Sequence, residues 1–426
     1  MEIRPFRGWR YRTTDGDVSR LIAPPFDVLS PADKAALLAR DGRNIVAVDL
    51  PHVPARDAGP PEAYRSAAEL LERWKSLDVL RQDPTPALYA YEQTYQWGGR
   101  THRRRAMICA VRATELGGDV IPHEQTFAGP KADRLMLTQQ TRTQLSPIFG
   151  FFDDPTGAAA EALWSGAAAE PDLRGELRGV GEKLWVVTAA DAAEEIASAL
   201  RDVPVFIADG HHRYATALSY RQGLGDLPGD HPANFVIFVL AAMDDPGLII
   251  LPAHRVISGL KGFEMGRLMS ATRKVMRYRK VGMRAEDVDD ADAYLRRFGP
   301  HAMALVAGDP PATYVATPTD LSVMDQLAAD QSRPWRELDV SILHRLLIER
   351  HLADLATGEM FIDYVADGRA ALTAARTGRA DLVVFLQATP LEAVKQIATA
   401  GGFMPHKSTY FFPKPATGMV LHPLEP

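Results

Sequence analysis

The chain has 426 residues, 46% of them hydrophobic and 24% charged, which is the composition of a globular protein with room for two or three domains. A formal charge of −6 argues against the broad basic surface that nucleic-acid binding needs, and no nucleic-acid partner is expected. A single cysteine, Cys109, excludes an internal disulfide framework. No stretch approaches the ~20 apolar residues of a membrane-spanning helix, and no secretory leader is read at the start, so the expectation is a cytoplasmic protein without a membrane partner.

Residues 20–50 read as a loop with Pro24 and Pro25, a helix at 31–40, and a strand through Ile45, Val46 and Val48. From Glu62 to Leu80 the apolar positions Ala63, Ala67, Leu70, Leu71, Trp74 and Leu77 recur at three-and-four spacing, an amphipathic helix. Ala87–Trp97 and Arg104–Glu115 read as a hairpin around Gly98-Gly99. A strand-like Gly118–Ile121 is followed by a polar helix over Leu135–Leu145. The alanine-rich 155–200 stretch gives a helix, a strand at Leu184–Val187 and another helix. Val203–Ala208 is a short apolar strand, turned by Asp209-Gly210 into a helix through Ala215, Leu218 and Tyr220. Asn234–Met243, Gly247–Leu251, Met303–Ala307 and Leu382–Leu386 are buried strands, and Leu338–Arg350 is a helix. The class is α+β (mixed).

Loops that leave a strand and enter a helix are natural anion sites, because backbone amides and the helix dipole point outward there. Three segments are unusually polar: 121–126, 207–214 and 404–414. In the middle one, Gly210 permits a sharp turn, and His211, His212 and Arg213 occupy a helix's first turn, where the dipole prefers acidic residues. A phosphate held by amides, imidazoles and guanidinium explains that arrangement, and Asp209 could hold magnesium on the same phosphates. The bland alternative is an N-capping aspartate with solvated basic neighbours. Glu124 suits a general base beside a phosphate, or a loop carboxylate in water. Lys131, Asp133 and Arg134 suit a phosphate complex or a surface ion-pair network equally. Lys407, Ser408, Thr409 and Tyr410 suit charge-assisted anion binding or an edge strand. His254-Arg255 ends a strand and suits buried hydrogen bonding as well as catalysis. The sequence lacks a P-loop, a protein-kinase H-R-D loop, G-x-G-x-x-G after the first strand, H-E-x-x-H, C-x-x-C and G-x-S-x-G.

The segment Ala208–Leu218, together with 23–28, 122–126, 130–135, 146–149 and 407–411, resembles the signature of a widespread prokaryotic family of unknown function over nearly the whole chain. More distantly, Pro122–Gln125, Asp209–Arg213 and the late 407–409 segment resemble, in the same order, motifs of the free serine kinases of the ParB/sulfiredoxin-like superfamily. That resemblance implies a kinase transferring phosphate to a free amino-acid hydroxyl, L-serine first, from ATP, ADP or pyrophosphate with Mg2+. It implies Glu124 as base, with Asp209 and His211 also catalytic. It places Gly210, His212 and Arg213 on the phosphates, where Lys131 and Arg134 also fit, and Lys407, Ser408, Thr409 and Tyr410 on the acceptor. Tyr410-Phe411 departs from the Arg-His of the kinases, and the wider gap between Glu124 and Asp209 implies an insertion near 151–200. The division expected is a ParB/sulfiredoxin-like catalytic region with an N-terminal extension over 1–265, then a C-terminal α/β domain over 266–426 carrying the 404–414 substrate loop. Two other readings stay open. One is a metal-dependent phosphohydrolase or nuclease using His123, His211, His212, His254, Asp209 and Glu124. The other is a non-catalytic nucleotide sensor.

Overall fold

The structure, a computed structural model, describes residues 1–55, 57–260, 262–353 and 359–426. It forms two compact units, 1–249 together with 413–426, and 250–412.

The first unit is built on a mixed nine-stranded sheet. Its spine is the hairpin Leu88–Trp97 and Arg100–Arg112, closed by Gly98 (φ 57°) and Gly99 (φ 72°). Two successive positive φ values are what the tight hairpin turn demands, which is why glycines stand there. On one side Phe235–Ala242 pairs antiparallel with Arg100–Arg112, then Ile148–Phe152 parallel with Phe235–Ala242. Val205–Asp209 follows antiparallel to Ile148–Phe152 and parallel to the short edge strand Val120–Ile121. On the other side lie Val180–Val187 and Leu173–Leu177. The 151–200 stretch, expected as an insertion, thus adds two strands to this sheet, and the strand Leu173–Leu177 was not foreseen. Helices Ala158–Ser165, Ala190–Leu200 and His211–Gly223 set Leu163, Ile196 and Tyr214 against Met107, Cys109 and Phe238 in one core.

The strand expected through Ile45, Val46 and Val48 is instead a short helix, Val46–Asp49. Asn44 accounts for the difference. Its Oδ1 accepts from the Val46 N–H (3.0 Å), while its amide donates to the carbonyls of Arg20 and Ile22 (2.9 Å each). Of the residues that follow, all but Ala47 are buried through Leu50, so the apolar run has no clear period from which to choose helix or strand.

The chain returns to the first unit at Pro413, where the sequence suggested one continuous domain from 266 to the end. Buried side chains of the spine hold this return by its backbone. Arg104 donates to the Pro413 carbonyl (2.5 Å), Gln93 to the Lys414 carbonyl (3.3 Å), and the Tyr91 hydroxyl accepts from the Ala416 N–H (3.1 Å). Glu182 ties them together by accepting from Tyr91 (2.5 Å) and Gln93 (3.0 Å). Burial pushes its carboxyl up to about 8. Such a network is stabilising only because its members satisfy one another.

The second unit is an antiparallel six-stranded sheet in the order Met276–Val281, Ala312–Pro318, Met303–Ala307, Leu382–Phe385, His254–Ser258, Phe361–Val365. Its core joins Ala304, Val306, Val383 and Phe385 to Leu295, Ala371 and Leu372 from helices. Among the described residues no helix is long and apolar enough to cross a membrane.

Candidate active site

The strand Val205–Asp209, flanked by Val120–Ile121 and Ile148–Phe152, carries Asp209 at its C-terminal end. Gly210, at φ 100°, then reverses the chain into the helix His211–Gly223. The positive φ favours glycine here, and a Cβ at Gly210 would lie 3.0 Å from the Arg213 Cζ and Nε, so any side chain would make the guanidinium shift. The N-cap residue is Gly210 itself, which has no side chain to accept from the first-turn amides. A glycine at that position suits an anion site, because backbone amides and the helix dipole point outward there.

Carboxylates, cations and imidazoles gather around the turn. The Asp209 carboxylate is the hub, with Arg213 on Oδ2 and Lys414 on Oδ1 (2.6 Å). Lys414 also donates to Asp27 (2.8 Å). Burial alone would lower the Lys414 ammonium, but the carboxylates of Asp209 and Asp27 outweigh it and raise its pKa, so it stays charged. Arg213 further donates to the Pro147 carbonyl. His211 is buried, and its Nε2 accepts from the His123 backbone N–H (3.3 Å). The ring proton therefore resides on Nδ1, which faces Glu124 Oε2 at 3.8 Å. Burial, with the Arg213 guanidinium nearby, holds His211 well below the ordinary range. His123, edge-on to His211 at 4.7 Å, is pulled down to about 4 by burial. The Nε2 of His212 accepts from the Phe127 N–H (2.9 Å), which again places the proton on Nδ1. Burial thus keeps His123 and His211 neutral, and the positive charge comes from Arg213 and Lys414.

The sequence-based candidates fall into three sets. Glu124, Asp209, Gly210, His211, His212 and Arg213 come together. Lys131 and Arg134 sit on the helix Ala128–Thr141, with different fates. Lys131 is half-buried in its first turn, whereas Arg134 is 5% exposed and pairs with Asp133 (2.5 Å) and Asp49 (3.6 Å) above the Phe26 ring. Tyr64 donates to Asp133 as well (2.6 Å). Arg134 thus sits in a buried ion pair, whereas the ion-pair alternative read from sequence was a surface network. Lys407, Ser408, Thr409 and Tyr410 belong to the second unit. There Lys407 adopts φ 55°, and Ser408 donates to the Pro405 carbonyl (2.5 Å). Fully buried Arg255 holds the Lys407 carbonyl (3.2 Å), and Thr389 that of Ser408 (2.8 Å). The acceptor role of these four residues stands on the resemblance alone.

Lys414 and Asp27 were not read from sequence as a pair. Both lie in segments noted for other reasons, but their contact spans 387 residues and leaves no local trace.

The residues do not fit a resident magnesium ion at Asp209, because each carboxylate oxygen already carries a cation. Among the described residues no group of three His, Cys, Asp or Glu is placed to hold a metal. His254 lies in the second unit, where its Nδ1 accepts from the Leu386 N–H (3.3 Å).

The site is thus a strand-to-helix turn on a mixed sheet, with a glycine N-cap and a paired carboxylate before it. By sequence, the chain belongs to the family described as protein of unknown function (DUF1015), whose profile matches residues 3–341. No curated protein matches it. Solved structures similar to it include a free serine kinase bound to AMP, at TM-score 0.36 and 13% identity, over 72% of this chain and 86% of that one. A conserved hypothetical protein from Pyrococcus furiosus scores 0.33 at 14% identity, over 72% and 90%. SbnI from Staphylococcus aureus, truncated at its C-terminus, scores 0.35 at 12% identity, over 74% and 87%. Likenesses of this size assign no function.

Proposed function

We propose that the protein is a small-molecule kinase that moves a phosphoryl group from ATP, ADP or pyrophosphate to the hydroxyl of a free amino acid, L-serine being the first candidate. The observation that carries this reading is the convergence of Glu124 with the helix end that begins at Gly210, through His211 (3.8 Å). A carboxylate that can take a proton thus stands beside amides that can hold phosphate oxygens. The donor phosphates dock on the first turn of the helix His211–Gly223. Arg213 and Lys414 lend positive charge to the transferring group, and the Nδ1–H groups of the histidines donate hydrogen bonds. Glu124 accepts the hydroxyl proton as the oxygen attacks phosphorus, and the bond to the leaving phosphate breaks in line. Positioning and charge stabilisation of this kind supply most of the acceleration in phosphoryl transfer.

The chain incubated with each donor, with and without L-serine, tests the reading by phosphorus NMR. O-phosphoserine that forms only when serine is present supports it. Release of inorganic phosphate at the same rate in both mixtures contradicts it and favours a hydrolase.

A further inference from the structure

Phe127 is 55% exposed, at the start of the helix Ala128–Thr141. A single exposed apolar side chain is ordinary on a protein surface. What sets this one apart is its attachment to the candidate site. Its backbone N–H donates to His212 Nε2 (2.9 Å), and its ring lies nearly parallel to the His212 imidazole, centroids 5.9 Å apart and planes 26° from each other. His212 is the second residue of the helix on whose first turn the donor phosphates are proposed to dock. The phenyl face is therefore held in a defined orientation beside that turn while more than half of its surface meets water.

Inorganic pyrophosphate has nothing to lay on an aromatic ring. A nucleoside phosphate does, since every base has a flat face that stacks on an aromatic side chain, whatever its hydrogen-bonding edge. We infer that the donor is a nucleoside phosphate and that Phe127 is the platform on which its base stacks, with the phosphates reaching the Gly210 turn. This rests on the phosphoryl-transfer reading above and selects among its donors. It also accounts for the short polar segment before the helix: the backbone of Phe127 fixes His212 while its side chain serves the ligand.

The test is calorimetric titration of the full chain and of Phe127→Ala with ADP and, separately, with pyrophosphate. Phe127→Ala is expected to weaken ADP by about 5- to 150-fold, the range of one lost base–aromatic stack, and to leave pyrophosphate within about twofold. Phe127→Trp is expected to restore ADP binding. Unchanged ADP affinity in Phe127→Ala, or equal losses for both ligands, overturns the inference and leaves the phosphoryl-transfer reading standing. Failure of the unaltered chain to bind either ligand overturns that reading, and the inference with it.

Discussion

Replacing Lys414 by methionine tests how the C-terminal return is tied to the candidate site. Lys414 is 11% exposed and bridges Asp209 (2.6 Å) and Asp27 (2.8 Å), whose side chains are 17% and 38% exposed. Methionine keeps the stem's packing and removes only the charge. Asp27 can rehydrate, and Asp209 keeps Arg213, so the loss falls at the lower end of the ~3–5 kcal/mol seen when one partner of a buried ion pair is deleted. About 3 kcal/mol is expected, read as a lower urea midpoint at unchanged slope. Combining it with Asp27→Asn should recover part of the loss, because the second charge no longer lacks its partner. A loss under about 0.5 kcal/mol is the worth of an exposed pair, and it would refute the view that the return is anchored through this ammonium.

Acid should destabilise the first unit. His123, His211 and His422 are held below the ordinary histidine value of 6.5 by burial, His123 and His422 to about 4. Unfolded histidines take up protons below 6.5 while the folded ones do not, so stability is lost as pH falls from 6.5 towards 4, at about 1.4 kcal/mol per pH unit for each. Glu182 acts the other way: its folded carboxyl keeps a proton that the unfolded chain has lost, so its contribution declines between 4.5 and about 8. Urea midpoints should therefore peak near pH 6.5; equal midpoints at pH 5 and 6.5 would contradict the buried, neutral histidines. Gly210→Ala should cost about 1–2 kcal/mol for its left-handed backbone and push Arg213 off Asp209, lowering ADP affinity; unaltered stability and affinity would show that the turn tolerates a side chain.

Much of the candidate site was legible because its elements are local. A strand ending in Asp209, a glycine and a polar first turn fall within a few residues, and the Gly98-Gly99 turn announces its hairpin in the same way. The run from Ile45 was misread because all of it but Ala47 is buried, so nothing in its spacing separates helix from strand. Arg134 could not be assigned because a buried ion pair and a phosphate site use the same residue types. What decides between them is the burial of Asp49 and Asp133, which arrive from different helices. Lys414 was beyond reach for another reason. Its partners are set by where the chain re-enters the first unit, a property of the whole fold that no window of sequence contains.

The most direct measurement is phosphoryl transfer to L-serine by Glu124→Gln, beside its ADP affinity. With Glu124 as the base, turnover drops by about 10²- to 10⁴-fold while ADP binds as in the unaltered chain. Transfer at the unaltered rate by Glu124→Gln would contradict the proposal at its centre.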